Sequence, residues 1–495
     1  MKEWFRENPD NEMQSLLTLI NYCKKSGDFV HFNNPQSYRP FWISYFGSLI
    51  DVEILHRDIL PNLNQTALDS LETLREVLPF ENIVITSDLN QIKNELLRGY
   101  VLIQFDEKGS LGALVPAEMK KARDVTFAEE EYSVVGPKEA FVESLTTNIN
   151  LVRKRLPISQ LQIKELEIGT LSKTKVAILS IDGIASEENV NTVIQRLRDL
   201  KFDQILDSSY ISQLIADNPN SIFPQLIDTE RPDRVAGVLA EGSVVILVDG
   251  SSHALIGPIS LVEFFSAFED YYVNWQLASV FRLIRLFSVL FSIMVTPIYV
   301  AILSYHYELI PTDLMVTLIS SRRVIPWPPF LEAIILELTI ELLREAGARL
   351  PTKVGQTIGI VGGIVIGTAA VEAGLTSNVL LIIVALAALA SFTTPVYRMG
   401  NTIRIIRFPF LLLAELWGLL GIAIAFIFLV IHLLCLTSLG RPYLEPIYPP
   451  RFKDFKDALI RLPFSSQSIR PMFLETKNQQ RFAKKQAKEK NDIDE

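Results

Sequence analysis

Apolar positions along the chain fall into two regimes. From residue 1 to about 280 they come as short patterned runs between charged and turn residues; from 286 to 437 they come as long stretches almost without charge. In the first regime, Val101-Leu102-Ile103-Gln104-Phe105 between Gly99 and Asp106 predicts a strand, and Leu89–Leu97 before it predicts a helix. Val176-Ala177-Ile178-Leu179-Ser180-Ile181 and Val244-Val245-Ile246-Leu247-Val248 are continuous apolar runs, the pattern of strands covered on both faces. Between them, Val190, Val193, Ile194, Leu197 and Leu200 recur at helical spacing. Strand, helix, strand in that order predicts α/β layers. The fold class expected is an α/β soluble N-terminal region of two small units, 1–130 and 161–257, joined by a helical connector over 131–160. Residues 258–285 read as an amphipathic lead-in helix, with Tyr271, Tyr272 and Trp275 suited to a lipid headgroup region.

The second regime predicts an all-α polytopic transmembrane domain, 286–437. A spanning helix needs about 20 mostly apolar residues to cross about 30 Å of hydrocarbon. Spans are expected at 286–305, 354–374, 379–395 and 408–436. Between the first two, 329–347 carries Glu337, Glu341, Arg344 and Glu345 on one face. It reads as an amphipathic helix that lies in the interface, re-enters, or packs inside a bundle. A charged tail, 438–495, contains Lys484, Lys485, Lys488 and Lys490. Arg282 and Arg285 place the N-terminal side in the cytosol, and the tail lysines argue the same for the C-terminus. Four spans satisfy both but leave Arg398, Arg404 and Arg407 outside, whereas a fifth crossing by 329–347 would repair that loop and move the tail out. Both arrangements stay open.

Composition narrows the function. Mean hydropathy of +0.25 is only mildly high because it averages the two regimes. A net charge of −9 gives no electrostatic support for a nucleic-acid partner. Cys23 and Cys435, one near the start and one in an apolar run, do not suggest a disulfide framework or a cysteine-ligated zinc. The first residues lack an apolar leader, so the N-terminal units are expected in the cytosol. There is no Walker-type phosphate loop and no His-Glu-x-x-His. His253 and His306 read as solvated or hydrogen-bonded, and Asp182-Gly183 and Asp249-Gly250 as turns. No catalytic residues, cofactor or metal site are expected, and the chain is not read as an enzyme.

The span at 354–374 carries the most specific signal. Gly355, Gly359, Gly363 and Gly367 recur every four residues and form one helical stripe, where a second backbone can approach closely. Ordinary packing within the chain and packing of several copies around an axis both fit. A second stripe holds Thr357, Val361, Ile364, Val365, Thr368 and Glu372. Polar ends would wet a pore, the aliphatic middle would form a dewetting constriction, and a ring of Glu372 would favour cations. Glu337 and Glu341 would do similar work or form an interfacial polar face. In the connector, Lys138, Glu139, Arg153, Lys154 and Arg155 are candidates for ion pairs between subunits; a solvated charged helix is the alternative.

Several of these stretches resemble the A-subunit family of bacterial spore germinant receptors, the GerA type. They are Gly136-Pro137-Lys138-Glu139-Ala140-Phe141 through Arg153-Lys154-Arg155; Gln225-Leu226 with Thr229-Glu230-Arg231-Pro232-Asp233; Glu241-Gly242 through Val248-Asp249-Gly250-Ser251; Val354 through Gly363; and Arg441-Pro442-Tyr443 with Pro446 and Pro449-Pro450. Together they extend over most of 136–450; residues 1–130 match less distinctly. The resemblance implies a multi-pass protein of the spore inner membrane that works with a transporter-like B subunit and a lipoprotein C subunit in nutrient sensing and ion release. It implies a homo-oligomer supplying the ion path, with nutrient bound chiefly by the B subunit. A signalling scaffold, with a partner conducting, is the alternative. A secondary transporter is disfavoured, because the spans show no evident internal repeat.

Overall fold

The computed structural model describes residues 15–35, 37, 39–65, 70–119, 131, 135–349, 367–451 and 454–482. Two five-stranded sheets come first. In the first sheet, β1 (Phe29–Asn34), β2 (Phe41–Phe46), β3 (Val84–Thr86), β4 (Tyr100–Gln104) and β5 (Gly112–Pro116) lie in the order β1-β2-β4-β5-β3, every neighbour antiparallel. Helices α1 (Leu16–Cys23) and α2 (Leu89–Leu96) cover one face. Strand alternation sends Leu102 to that side and Val101 and Ile103 to the other.

The second sheet comprises β6 (Leu161–Ile168), β7 (Thr174–Ile181), β8 (Ile227–Thr229), β9 (Val244–Val248) and β10 (Ala254–Gly257), in the order β6-β7-β9-β10-β8. It too is antiparallel throughout. Its β7 and β9 run apolar without a break because helices cover both faces. Ala177, Leu179, Val245 and Leu247 share a core with α3 (Leu145–Arg155) and α6 (Pro232–Glu241). Val176, Ile178 and Ile246 face α4 (Glu187–Asp199) and α5 (Ser208–Leu214). The predicted connector is thus part of this core: Leu145, Ile149 and Val152 of α3 are buried beneath the sheet.

The lead-in over 258–285 is not one amphipathic helix. Extended backbone at Ser260 and Ser266 divides it into 3₁₀ turns, Leu261–Phe265 and Phe268–Tyr271, before α7 (Trp275–Tyr305) begins. Tyr271 points into the protein and donates to Asp457 at 2.9 Å, and Tyr272 donates to Asp233 at 2.7 Å. Of the three expected headgroup residues, Trp275 and Tyr272 retain exposed surface.

Beyond α7 come α8 (Thr312–Arg322), α9 (Pro329–Ala348), a short helix Gly367–Glu372, α10 (Asn378–Ser391) and α11 (Tyr397–Cys435). Among the described residues α7 and α11 are long and apolar enough to cross a membrane. At 39 residues, a straight α11 would reach about 58 Å. Instead both its ends meet the same soluble unit. Arg398 pairs with Asp228 at 2.8 Å and Thr402 donates to the Ile222 carbonyl at 2.7 Å. At the other end, His432 lies 2.9 Å from the Ser221 hydroxyl and Ser438 donates to the Gln225 carbonyl at 2.6 Å. The helix folds back at Gly418, whose φ of 60° suits glycine and where a side chain would crowd Tyr305 and His306. The arms approach so closely that a side chain at Gly421 would collide with the Leu413 carbonyl. The Tyr305 hydroxyl caps the break, donating to the Glu415 carbonyl at 2.6 Å. The expected single span at 408–436 is therefore a helical hairpin; its uninterrupted apolar run hides the turn.

These contacts define a near end, beside the soluble units, and a far end at Tyr305 and Gly418. α9 and α10 both run from far to near. Glu332 and Tyr299 meet Ser377 at the far end, and Arg344 meets Asn401 at the near end. Residues 437–451 and 454–482 then fold back onto the second unit. Tyr443 is buried and donates to the Pro224 carbonyl at 2.7 Å, and Asn189 donates to the Leu474 carbonyl at 3.0 Å. In its described part, the expected charged tail is a folded strap.

Candidate functional site

Four apolar helical elements enclose a column of charge. At the near level, Arg344 donates to Glu341 at 2.9 Å and to the Asn401 side chain at 2.9 Å; Arg404 lies 3.9 Å from Glu341. One turn deeper, Arg407 of α11 pairs with Glu337 of α9, donates to the Ser292 hydroxyl of α7 at 2.7 Å, and Thr296 donates to Glu337 at 3.0 Å. At the far level, Glu332 accepts from the Ser377 N–H at 2.6 Å and from the Thr376 hydroxyl at 3.2 Å, with Arg322 at 3.5 Å. Glu332 and Glu337 are buried, and so is Arg407.

The spacing explains the column. Glu337 and Glu341 are one turn apart on α9, as are Ser292 and Thr296 on α7; Arg404 and Arg407 sit three apart on α11. Each element thus offers polar groups on one face and apolar groups on the rest. A charge at a bilayer centre costs about 3 kcal/mol on insertion scales, so such residues persist where they are paired and turned inward. Glu337 is accordingly a buried, paired group and not part of an interfacial polar face. Arg398, Arg404 and Arg407 lie on the near side or inside the bundle.

The predicted pore residues are only partly described. Thr357, Val361, Ile364 and Val365, with Gly355, Gly359 and Gly363, lie outside the described residues. Gly367, Thr368 and Glu372 belong to the short helix Gly367–Glu372 at the far end. Gly367 is buried against Leu381, whereas Thr368 and Glu372 are exposed, one turn apart. Gly374 just beyond packs on Val324.

A family model described as Bacillus/Clostridium GerA spore germination protein matches residues 18–473. The chain belongs to the GerA family. Spore germination protein GerQA of Bacillus cereus is 54% identical over 485 residues, covering 98% of this chain and 97% of that protein. Spore germination protein GerIA of Bacillus cereus is 50% identical, over 93% of this chain and 69% of that protein. A crystal structure of the N-terminal domain of the A subunit of the Bacillus megaterium spore germinant receptor GerK3 matches at 29% identity and a TM-score of 0.36, over 49% of this chain and 92% of that one. This GerA-family chain accordingly has a role in spore germination, as the resemblance implied.

One expected interface residue of this GerA-family chain is used internally. Arg153 is 1% exposed and joins the two soluble units. It makes two 2.6 Å bonds to Asp28 and one of 2.9 Å to the Ser26 hydroxyl, and it stacks on Phe46 at 4.3 Å. Asp28 also accepts from Ser48 at 2.6 Å. Burial raises the Asp28 carboxyl, but Arg153 and the two serine hydroxyls outweigh it and hold it below the ordinary carboxylate range. Arg153 therefore has no surface left for a neighbouring subunit, because its whole guanidinium is enclosed. Arg155 pairs with Glu139 at 2.6 Å within the chain, while Lys138 and Lys154 are exposed. Sequence reasoning missed Asp28, Ser48, Ser292 and Thr296, whose only signal was polarity at apolar-patterned positions; it noted both Arg407 and Glu337 but not their pairing.

Proposed function

We propose that this chain is the membrane subunit of a nutrient-gated germinant receptor, and that several copies pack through residues 354–374 to form a ligand-gated cation channel. Its site is the spore inner membrane, as a multi-pass protein with cytosolic N-terminal units. Its partners are a transporter-like B subunit, a lipoprotein C subunit, further copies of itself and membrane lipid; neither a cofactor nor catalysis enters.

The observation that carries this reading is the exposed Thr368–Glu372 face at the far end, directly after the small-residue stretch. Arg344 stands at the near end and Gly374 at the far end. In a ring of copies, Glu372 carboxylates would line the far mouth and concentrate cations, while Val361, Ile364 and Val365 would hold the path dry until it widens. A nutrient bound to a partner favours the open arrangement to the extent that it binds that state more tightly.

Reconstituted receptor tests it. Val361→Ala should release ions without nutrient, and Glu372→Gln should lower cation selectivity while leaving assembly intact. Unchanged release and selectivity in both variants would overturn the assignment. The scaffold reading is favoured by one feature: the Glu337–Arg407 pair closes on itself within a single chain. On that reading neither variant alters ion flux.

A further inference from the structure

A cavity of about 450 Å³ lies outside the membrane bundle, where the end of α6, the two 3₁₀ turns before α7 and the returning strap meet. That volume suits a small organic molecule. Phe268, Phe473, Val238 and Val262 contribute apolar lining.

Its charged lining groups are almost all committed elsewhere. Glu241 accepts from Arg481 at 2.7 Å, and Asp457 accepts from Tyr271 at 2.9 Å and from Arg282 at 3.2 Å. Asp454 receives the Met472 N–H at 3.0 Å. Arg470 is used on the carbonyls of Ala240, Asn478 and Gln480, and Arg234 on Glu131. Glu263 differs. Among the described residues no cation lies within ion-pair distance of it, and Arg234 acts on it only at longer range. A carboxyl that shares an apolar cavity with aromatic rings is complementary to an alkylammonium group.

We infer that this cavity binds a small organic ammonium compound, its cationic nitrogen on Glu263 and its apolar part against Phe268 and Phe473. Occupancy would fasten the strap to the turns that lead into α7, because Asp457 on the strap already holds Arg282 of that helix.

Proton linkage gives a second signature. Burial pushes the Glu263 carboxyl up to about 8, reinforced by Glu241 and Asp457 and opposed by Arg234. Arg481, Arg470 and Asp454 also face the cavity. At pH 7 Glu263 is mostly protonated, so a cation binds the minor ionised form, and affinity rises with pH by about 10-fold between pH 7 and 9.

The test is thermal denaturation and calorimetric titration of the full chain in detergent, with n-butylammonium against n-butanol and butyrate. The ammonium alone should raise Tm and bind. Glu263→Gln should weaken binding about 10-fold or more, as loss of the one charged contact predicts, without lowering the unliganded Tm. Phe268→Leu, which keeps most of the volume, should weaken it less. No ammonium binding, binding of all three probes alike, or wild-type affinity in Glu263→Gln would overturn the inference. Repeating the titration in phosphatidylethanolamine and in phosphatidylglycerol discs identifies the source. A headgroup occupant blocks the signal only in the former, and a free solute binds in both.

Discussion

Two of the molecule's buried arginine–carboxylate pairs tie distant parts of the chain together, one between the N-terminal units and one inside the apolar bundle. Arg153–Asp28 links residues 125 apart across the soluble units, where two serine hydroxyls complete the shell around Asp28. Arg407–Glu337 links residues 70 apart across α11 and α9, where Ser292 and Thr296 complete it. Both pairs are almost fully enclosed. In each, the ion pair adds little net stability over an apolar pair, but losing one partner strands the other charge. The difference lies in the remedy. Water can enter an opened seam between soluble units, whereas a stranded charge inside an apolar bundle has only the far and near ends to reach.

The largest effect is expected at the soluble seam. Arg153→Met should cost about 3–5 kcal/mol by leaving Asp28 buried and unpaired. Thermal unfolding and limited proteolysis between the two units would register it. The same pair predicts an acid response. Because the folded Asp28 carboxyl lies below its ordinary range, its contribution is complete above about pH 4 and is lost as pH falls through the lowered value. Equal proteolysis at pH 7 and at strongly acidic pH would contradict this.

Next comes the bundle. Arg407→Leu should cost about 3 kcal/mol, and the double variant Glu337→Leu with Arg407→Leu should recover most of it. A double variant as unstable as the single one would show that the two charges do not act as a unit. Smallest is the half-exposed pair: Arg155→Ala should change stability by less than about 1 kcal/mol. A larger loss confined to the assembled receptor would instead place Arg155 between subunits.

The sequence revealed the elements whose patterns were unmixed. β4, β7, β9, α2 and α4 were legible because burial on one or both faces leaves a plain period or a plain run. β1 was not, since His31 and Asn33 interrupt it on a half-buried edge. The hairpin in α11 escaped because a run without polar residues carries no period to break, and a single glycine does the turning. Glu337, Glu341, Arg404 and Arg407 were visible individually, but their pairing depends on two helices running in opposite directions. Arg153 was misplaced for a related reason: three consecutive basic residues look like a solvated face, and only the fold sends the first of them inward.

The proposed channel requires copies of this chain to crowd about an axis through their glycine-bearing segment and to conduct cations there. The most direct measurement is nutrient-triggered cation efflux, paired with oligomer mass, for Gly359→Leu combined with Gly363→Leu. The expected outcome is a dispersed complex and abolished efflux with the soluble units still folded. An intact oligomer with wild-type efflux would contradict it.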